Sequence, residues 1–125
     1  MATVELTAAD FEKTVTEKPI VLVDFWASWC GPCRAFAPVF DRSAEAHPDV
    51  VHAKVNTEAE QELAGALQIM SIPTIMAFRD GVLLFAQPGA LPAAALEELI
   101  GKIKELDMDD VRAQIAAQSA ASAAE

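Results

Sequence analysis

One apolar run constrains the fold of this chain more than any other feature of its sequence. Residues Ile20–Trp26 read I-V-L-V-D-F-W, and all of them are apolar except Asp24. A strand with one face in water alternates apolar and polar residues, whereas a strand covered on both faces is almost continuously apolar. The run therefore predicts a central strand with other layers packed on both of its faces.

Helix and strand patterns alternate on both sides of this run. Apolar residues recur at helical spacing in four segments, and short β-branched or aromatic runs lie between them. Asp80-Gly81 separates two such runs and predicts an antiparallel hairpin. The order βαβαβαββα predicts an α/β fold with a central mixed β-sheet and helices on both of its faces. The predicted strands lie near residues 4–6, 20–26, 50–55, 74–78 and 82–86. The predicted helices lie near residues 8–18, 33–47 and 58–67, and the last one runs from near Pro92 to Leu106.

Length and charge limit the functions that this chain can have. Its 125 residues, 53% of them apolar, fit one domain with an ordinary core. Nine Lys and Arg against 19 Asp and Glu give a net charge of −10, which repels phosphate backbones and anionic lipids. The N-terminus lacks the pattern of an export signal, and no run reaches the roughly 18 apolar residues that a membrane span needs. We expect a cytoplasmic monomer that binds neither nucleic acid nor membranes.

The composition changes after residue 106. Residues 107–125 begin with D-M-D-D and end in an Ala-rich and Ser-rich stretch, in which Val111 and Ile115 are the only large aliphatic residues. This is too little apolar surface to pack an independent unit. We therefore predict a folded domain over residues 1–106 and an acidic, Ala-rich extension over residues 107–125 that is a frayed helix or disordered.

Both cysteines lie in one short motif, W-C-G-P-C, at residues 29–33. Cytoplasmic thiols are kept reduced, so such a pair is more often catalytic, redox-sensing or metal-binding than structural. Cys30 precedes a predicted helix, whose free amide donors and dipole lower the pKa of a thiol at its N-terminus. Cys33 is near enough to resolve a mixed disulfide formed at Cys30. Gly31 allows a close backbone approach by a partner, and Pro32 stiffens the loop.

A zinc site is the alternative interpretation of this motif. Zinc takes four ligands in structural sites, and His47 and His52 are the only histidines in the chain. His52 lies within a predicted strand and His47 at a predicted helix end before Pro48, so neither belongs to a metal-binding knuckle. The redox interpretation is therefore favoured over the metal interpretation.

Asp24 is the second unusual residue, because it interrupts the apolar run. Burial of an unpaired carboxylate is costly, so we expect the pKa of Asp24 to be raised. A carboxyl tuned in this way, on the strand that leads to Cys30, is a candidate acceptor for the Cys33 proton. The alternative is a solvent-facing Asp24 at a sheet edge, which the apolar neighbours oppose. Lys54 could offset the charge of Asp24 or extend along the surface into solvent, and the spacing alone does not separate the two.

The chain resembles the thioredoxin family in several motifs that occur in the same order. They are the strand ending V-D-F-W, the motif W-C-G-P-C, and the later S-I-P-T and P-G-A segments. The resemblance covers about residues 3–106, and this set is far more specific than a single C-x-x-C. It implies the thioredoxin fold, in which four helices flank the central mixed sheet.

The resemblance also implies roles for individual residues. Cys30 matches the attacking cysteine of the family and Cys33 its resolving cysteine. Asp24 matches the buried carboxyl, and Lys54 matches the lysine beside it. The dipeptide Ile72-Pro73 matches a cis-proline loop that faces the dithiol and pairs with the substrate backbone. The residues implied in substrate binding are Trp29, Gly31, Pro32, Ile72, Pro73, Gly89 and Ala90.

By this resemblance we expect a thiol-disulfide oxidoreductase that reduces protein disulfides. Its redox group is the Cys30–Cys33 disulfide, and it holds no bound cofactor. The implied partners are client proteins with disulfides and a thioredoxin reductase that carries FAD and uses NADPH. A disulfide oxidase or isomerase is an alternative within the same chemistry, and a thiol-independent, chaperone-like binding module is an alternative from another class.

The sequence departs from the family pattern beside the expected docking surface. Pro88 precedes Gly89 where a small aliphatic residue is common, and Met70 stands where a basic or small residue is common. Asn56-Thr-Glu58 replaces a more acidic pattern. These departures leave the expected chemistry unchanged and put the preference for partners in doubt.

Overall fold

The computed structural model describes residues 2–124, which form five strands and five helices. The strands are β1 (Thr3–Glu5), β2 (Ile20–Trp26), β3 (Val51–Asn56), β4 (Thr74–Arg79) and β5 (Val82–Pro88). The helices are α1 (Ala8–Glu17), α2 (Gly31–Ala46), α3 (Gln61–Ala66), α4 (Ala93–Glu105) and α5 (Met108–Ala124).

The five strands form one mixed sheet with β2 at its centre. The strand order is β1-β3-β2-β4-β5. β3 runs parallel to β1 and β2, whereas β4 runs antiparallel to β2 and β5. All residues of β2 from Ile20 to Phe25 are buried, and the strand has the bounds that the sequence predicts. The prediction of a central strand covered on both faces is confirmed.

Each face of the sheet carries its own apolar core. Alternate residues of β2 point to opposite faces, so Val23 and Phe25 enter one core and Leu22 enters the other. The first core is closed by α1 and α3. The second is closed by α2 and α4, whose contributing side chains are Phe36, Phe40, Leu96, Ile100 and Ile103.

The hairpin between β4 and β5 turns at the predicted dipeptide. Asp80 has φ of 53° and Gly81 has φ of 80°. A two-residue hairpin of this kind needs left-handed backbone at both positions, which Asp tolerates and Gly adopts without strain. The Asp-Gly signal therefore identified this turn correctly.

Two helices differ from the boundaries that the sequence predicts. α2 begins at Gly31 and not at Cys33, because Cys30 itself is the N-cap and Pro32 fits the first turn, where no amide donor is needed. α3 begins only at Gln61, because Asn56 Oδ1 accepts the N–H of Glu58 at 3.0 Å and holds the preceding residues in a turn.

The predicted count of four helices is wrong, because α5 is a fifth helix within residues 2–124. The Asp107 carboxylate accepts the N–H groups of Asp109 at 3.0 Å and Asp110 at 3.3 Å, and so satisfies the first turn. Met108 is buried and anchors that turn. A count of branched aliphatic residues in this segment leaves Met108 out, so the sequence pattern gives no sign of this anchor. The domain boundary between residues 106 and 107 stays a prediction.

Within residues 2–124, no helix has both the length and the apolar content that crossing a membrane requires.

Arg79 connects the end of β4 to the end of α4. Its guanidinium donates to the carbonyl oxygens of Ile103 and Leu106, each at 2.7 Å. The last carbonyls of a helix lack their usual amide donors, so the bond to Leu106 satisfies a group that would otherwise face water or remain unpaired. The Ile103 carbonyl also accepts the Leu106 N–H at 3.3 Å, and the bond from Arg79 adds to this one.

We expect Arg79→Ala to lower the free energy of unfolding by about 1–2 kcal/mol, because partly buried, charge-assisted hydrogen bonds are lost. Urea denaturation followed by tryptophan fluorescence measures the change. Arg112→Ala is the matched control, since Arg112 contacts the exposed carboxylates of Asp80 and Asp109, and such surface pairs contribute little. Equal losses in both variants would contradict the capping role of Arg79.

Candidate active site

The two cysteines form a disulfide where β2 passes into α2. Cys30 and Cys33 are bonded, with their Cα atoms 5.2 Å apart. Both residues are buried, whereas Gly31 and Pro32 between them are exposed. The Cys33 N–H donates to Cys30 Sγ at 3.2 Å. The sulfur of Cys30 therefore lies at the N-terminus of a long helix and accepts one of its free amide donors, a position that favours an anion.

The loop that contains Pro73 faces this disulfide. The Ile72–Pro73 peptide bond is cis, as the family resemblance implies. The carbonyl oxygen of Ile72 lies 3.8 Å from Cys30 Sγ. The carbonyl of Pro73 accepts the N–H of Gly89 at 2.7 Å, which ties the segment after β5 to the same place. Three segments distant in sequence are thus linked, since the Pro73 loop contacts both Cys30 and Gly89.

Asp24 is fully buried at the centre of the sheet. Its exposed fraction is 0%, and neither carboxyl oxygen has a hydrogen-bond partner among residues 2–124. Burial raises the pKa of Asp24 from its usual 3.8 to about 7, although nearby Lys54 acts in the opposite direction. The alternative of a solvent-facing carboxyl at a sheet edge is wrong, because β2 has a strand on each side.

Lys54 stands between two carboxyl groups. It pairs in register with Asp24 on β2 and with Glu5 on β1, so the three side chains point to the same face of the sheet. Its Nζ lies 5.0 Å from the centre of the Trp26 ring, and the residue is half-buried. Lys54 therefore offsets the charge of Asp24 while it remains partly in water, which combines the two alternatives that the sequence left open.

The exposed residues of the site surround the disulfide. Trp29 is 67% exposed, and Gly89 and Ala90 are also exposed. Trp29 borders a cleft of about 410 Å³. Thr57 and Ile69 were not predicted to lie at this site, because they come from the segments after β3 and α3 and belong to no motif. The residues that line the cleft are Trp29, Thr57, Ile69, Met70, Ser71 and Ile72.

Both histidines have partners away from the sulfur atoms. His52 Nε2 pairs with Ser43 Oγ at 2.9 Å and its Nδ1 with the Val50 carbonyl at 3.0 Å. His47 Nε2 pairs with Glu97 Oε2 at 2.8 Å. In the part of the chain that the structure describes, no three His, Cys, Asp or Glu side chains are grouped as a metal ion would need. The arrangement favours the redox interpretation over the zinc alternative.

A disulfide at a helix N-terminus, beside an exposed apolar surface and just after the strand that carries a buried acid, defines a protein that exchanges thiols and disulfides. The comparisons with known proteins agree.

The family profile described as Thioredoxin matches residues 2–102. The chain is 57% identical over 119 residues to a putative thioredoxin 2 of Streptomyces coelicolor, which covers 95% of this chain and 89% of that protein. It is 43% identical over 103 residues to a thioredoxin of Alicyclobacillus acidocaldarius, which covers 82% of this chain and 98% of that protein.

Solved structures show the same likeness. A mutant thioredoxin from Halobacterium salinarum matches with a TM-score of 0.78 and 30% identity, over 85% of this chain and 95% of that one. A Plasmodium falciparum thioredoxin matches with a TM-score of 0.73 and 30% identity, over 80% of this chain and 97% of that one. The chain belongs to the thioredoxin family. It is a thiol-disulfide oxidoreductase that reduces protein disulfides, and the predicted fold class and activity are confirmed.

The pKa of Asp24 makes the stability of the fold depend on pH. The unfolded carboxyl ionises near its usual 3.8, whereas the folded one keeps its proton to about pH 7. The folded state therefore binds more protons between these values, and the free energy of unfolding falls as the pH rises through this window.

Asp24→Asn removes this titration and keeps the shape of the side chain. We expect the free energy of unfolding of the variant to exceed that of the wild type by a margin that grows with pH, by up to about 1.4 kcal/mol per pH unit between about pH 4 and pH 7. Above about pH 7 this margin should stay constant. Urea denaturation of both oxidised proteins across this range measures the difference. A difference that does not change with pH would contradict the raised pKa.

Proposed function

We propose that the reduction of client disulfides proceeds by attack of Cys30 and resolution by Cys33, with Asp24 as the acceptor of the Cys33 proton. The observation that carries this assignment is the position of Cys30 Sγ, which accepts the Cys33 N–H at 3.2 Å at the start of α2. A thiolate is stabilised there, and the thiolate is the attacking species.

The proposed cycle has two exchange steps. The Cys30 thiolate attacks one sulfur of the client, the S–S bond of the client breaks, and the other client sulfur leaves as a thiolate that takes up a proton. Cys33 then gives its proton to Asp24 and attacks Cys30 Sγ. The Cys30–client bond breaks, and the second client sulfur leaves as a thiolate. The client gains two electrons, and the protein is left with its Cys30–Cys33 disulfide.

Asp24 suits this role because its carboxyl can both take up and release a proton near neutral pH. Its burial raises the pKa to about 7, close to the pH at which the reaction runs. Lys54 supports the role by lowering this pKa from the still higher value that burial alone would give. We assign Lys54 as a positioning residue, since it acts through Asp24.

We assign the docking of the client backbone to the cis-proline loop. The Ile72 carbonyl, 3.8 Å from Cys30 Sγ, marks the place where an extended client chain would lie. Gly31 and Pro32 border the sulfur on the helix side. Trp29, Gly89 and Ala90 supply the surrounding surface.

The electron donor in this proposal is a thioredoxin reductase that holds FAD and uses NADPH, so the cofactors belong to the partner. We place the reaction in the cytoplasm. We further propose that the protein is a monomer and that its thioredoxin domain spans residues 1–106. The net charge of −10 supports the monomer, because it disfavours association of identical chains.

Reduction of insulin disulfides, coupled through such a reductase to NADPH, tests the proposed function. It tests the exchange chemistry, the direction of electron transfer and the electron donor together.

Trapping separates the roles of the two cysteines. We expect Cys33→Ser to accumulate a mixed disulfide with insulin, because Cys30 still attacks and no second thiol resolves the product. Cys30→Ser is the matched control and should form no such adduct. Intact-protein mass spectrometry under non-reducing conditions measures both. Adducts on Cys30→Ser alone would reverse the assignment, and activity of the double Cys→Ser variant on a client would favour the thiol-independent alternative.

The role of Asp24 is tested at the resolving step. In the wild type we expect release of the client from the mixed disulfide to accelerate as the pH rises through about 7, because Asp24 must be ionised to accept a proton. Asp24→Asn should slow the release about tenfold to a hundredfold and remove this part of the pH profile. Single-turnover measurement with a preformed mixed disulfide isolates the step.

Glu5→Gln is the control for Asp24→Asn, because Glu5 is an exposed carboxyl on the other side of Lys54. It should leave the release fast and still dependent on pH, with the acceleration shifted to a slightly lower pH, because the charge of Glu5 helps to raise the pKa of Asp24. If the two variants slow the release equally, the local charge balance and not the proton acceptor controls this step.

A further inference from the structure

Charge is absent from the segments that surround the disulfide. The chain has a net charge of −10, and 22% of its residues are charged. No residue in the segments 27–33, 67–74 and 81–96 is charged. The first segment contains Cys30, the second contacts its sulfur through the Ile72 carbonyl, and the third bonds to the second at Pro73. Contacts with a client on this face therefore depend on apolar and backbone groups much more than on ion pairs.

Met70 is the most exposed large apolar residue recorded for this face. It is 92% exposed, and Trp29 across the same cleft is 67% exposed. Met70 also lines a second cavity of about 240 Å³, together with Met76 and Pro88. Ile69, Met70 and Ser71 thus line both cavities, and Met70 is the most exposed large apolar residue among them. An unbranched thioether fits side chains of different shapes in such a place.

The cleft between Trp29 and Met70 lies next to the reacting sulfur. Ile72 lines the cleft, and its carbonyl oxygen lies 3.8 Å from Cys30 Sγ. A client whose cysteine reaches Cys30 therefore places a neighbouring side chain at this cleft. This continuity with the exchange site favours a client as the occupant, and the repulsion between two chains of charge −10 disfavours a second copy of the protein.

We propose that Met70 is a specificity-determining residue, which together with Trp29 selects clients that carry an apolar side chain beside the attacked cysteine. The proposal rests on the function proposed above and names its preferred substrates. An acidic neighbour is disfavoured twice, because it would lose water against two apolar walls and would approach a strongly acidic protein. Transfer of one aliphatic side chain into an open cleft predicts a preference of about fivefold for Leu over Asp.

Three peptide probes test the preference. Each carries one cysteine as a mixed disulfide with thionitrobenzoate, and the residue beside the cysteine is Leu, Asp or Lys. Thionitrobenzoate is the better leaving group, so Cys30 attacks the peptide sulfur and releases the coloured thiolate. The second-order rate constant with the reduced protein then reports docking of the peptide at the moment of attack.

Variants at position 70 identify the residue responsible. Met70→Leu keeps an apolar wall and should keep the preference for the Leu peptide. Met70→Glu should slow the Leu peptide about fivefold and should make the Lys peptide the fastest of the three. Ile115→Glu is the matched control, because it places the same charge at an exposed apolar residue on α5. It should leave the order of the three peptides unchanged.

The outcomes separate this proposal from the function on which it rests. Equal rates for the three peptides with the wild type, or the same shift in Met70→Glu and Ile115→Glu, would overturn the role of Met70 while disulfide exchange remains intact. Wild-type rates no faster than those of Cys30→Ser would instead overturn the proposed function, because no attack by Cys30 would then have been measured.

Discussion

The burial of β2 on both faces is the constraint on which the rest of the structure depends. Two cores meet at this strand, so its position is fixed by apolar packing from above and below. The chain leaves the strand at Trp26 and enters α2 at Gly31, and Cys30 must lie between them. The exchange site is therefore held by the most buried element of the fold and still opens to solvent at its end.

The same burial creates the acid on which we base the resolving step. Burial removes water from the Asp24 carboxyl and so destabilises its charged form, which raises its pKa to about 7. No hydrogen-bond partner among residues 2–124 compensates for the lost water. Lys54 lies beside Asp24 in register but stays half-buried, so it offsets only part of this effect. The fold gives up stability at the place where a base is needed near neutral pH.

The sequence predicted those features whose cause is local. The bounds of β2, the burial of Asp24 and the Asp80-Gly81 turn follow from residue types a few positions apart, and the structure confirms them. For residues 107–125 the sequence left a frayed helix and disorder open, because a count of branched aliphatic residues does not reveal the buried Met108 at the start of α5. The cis bond before Pro73 was expected only through the family resemblance, since a proline at the start of a strand has a simpler explanation. The cleft beside Trp29 joins segments after β2, β3 and α3, and no local pattern indicates such a meeting.

The distribution of charge reconciles an apolar docking face with a protein that stays dissolved. Exposed large apolar residues such as Trp29 and Met70 promote association when they lie together on a surface. Here the charges are excluded from the segments around Cys30 and concentrated elsewhere at a net −10. Two copies repel each other through their acidic surfaces, whereas an extended client segment of low charge does not meet this barrier. Separation of the acidic surface from the apolar face thus serves both solubility and the choice of substrate.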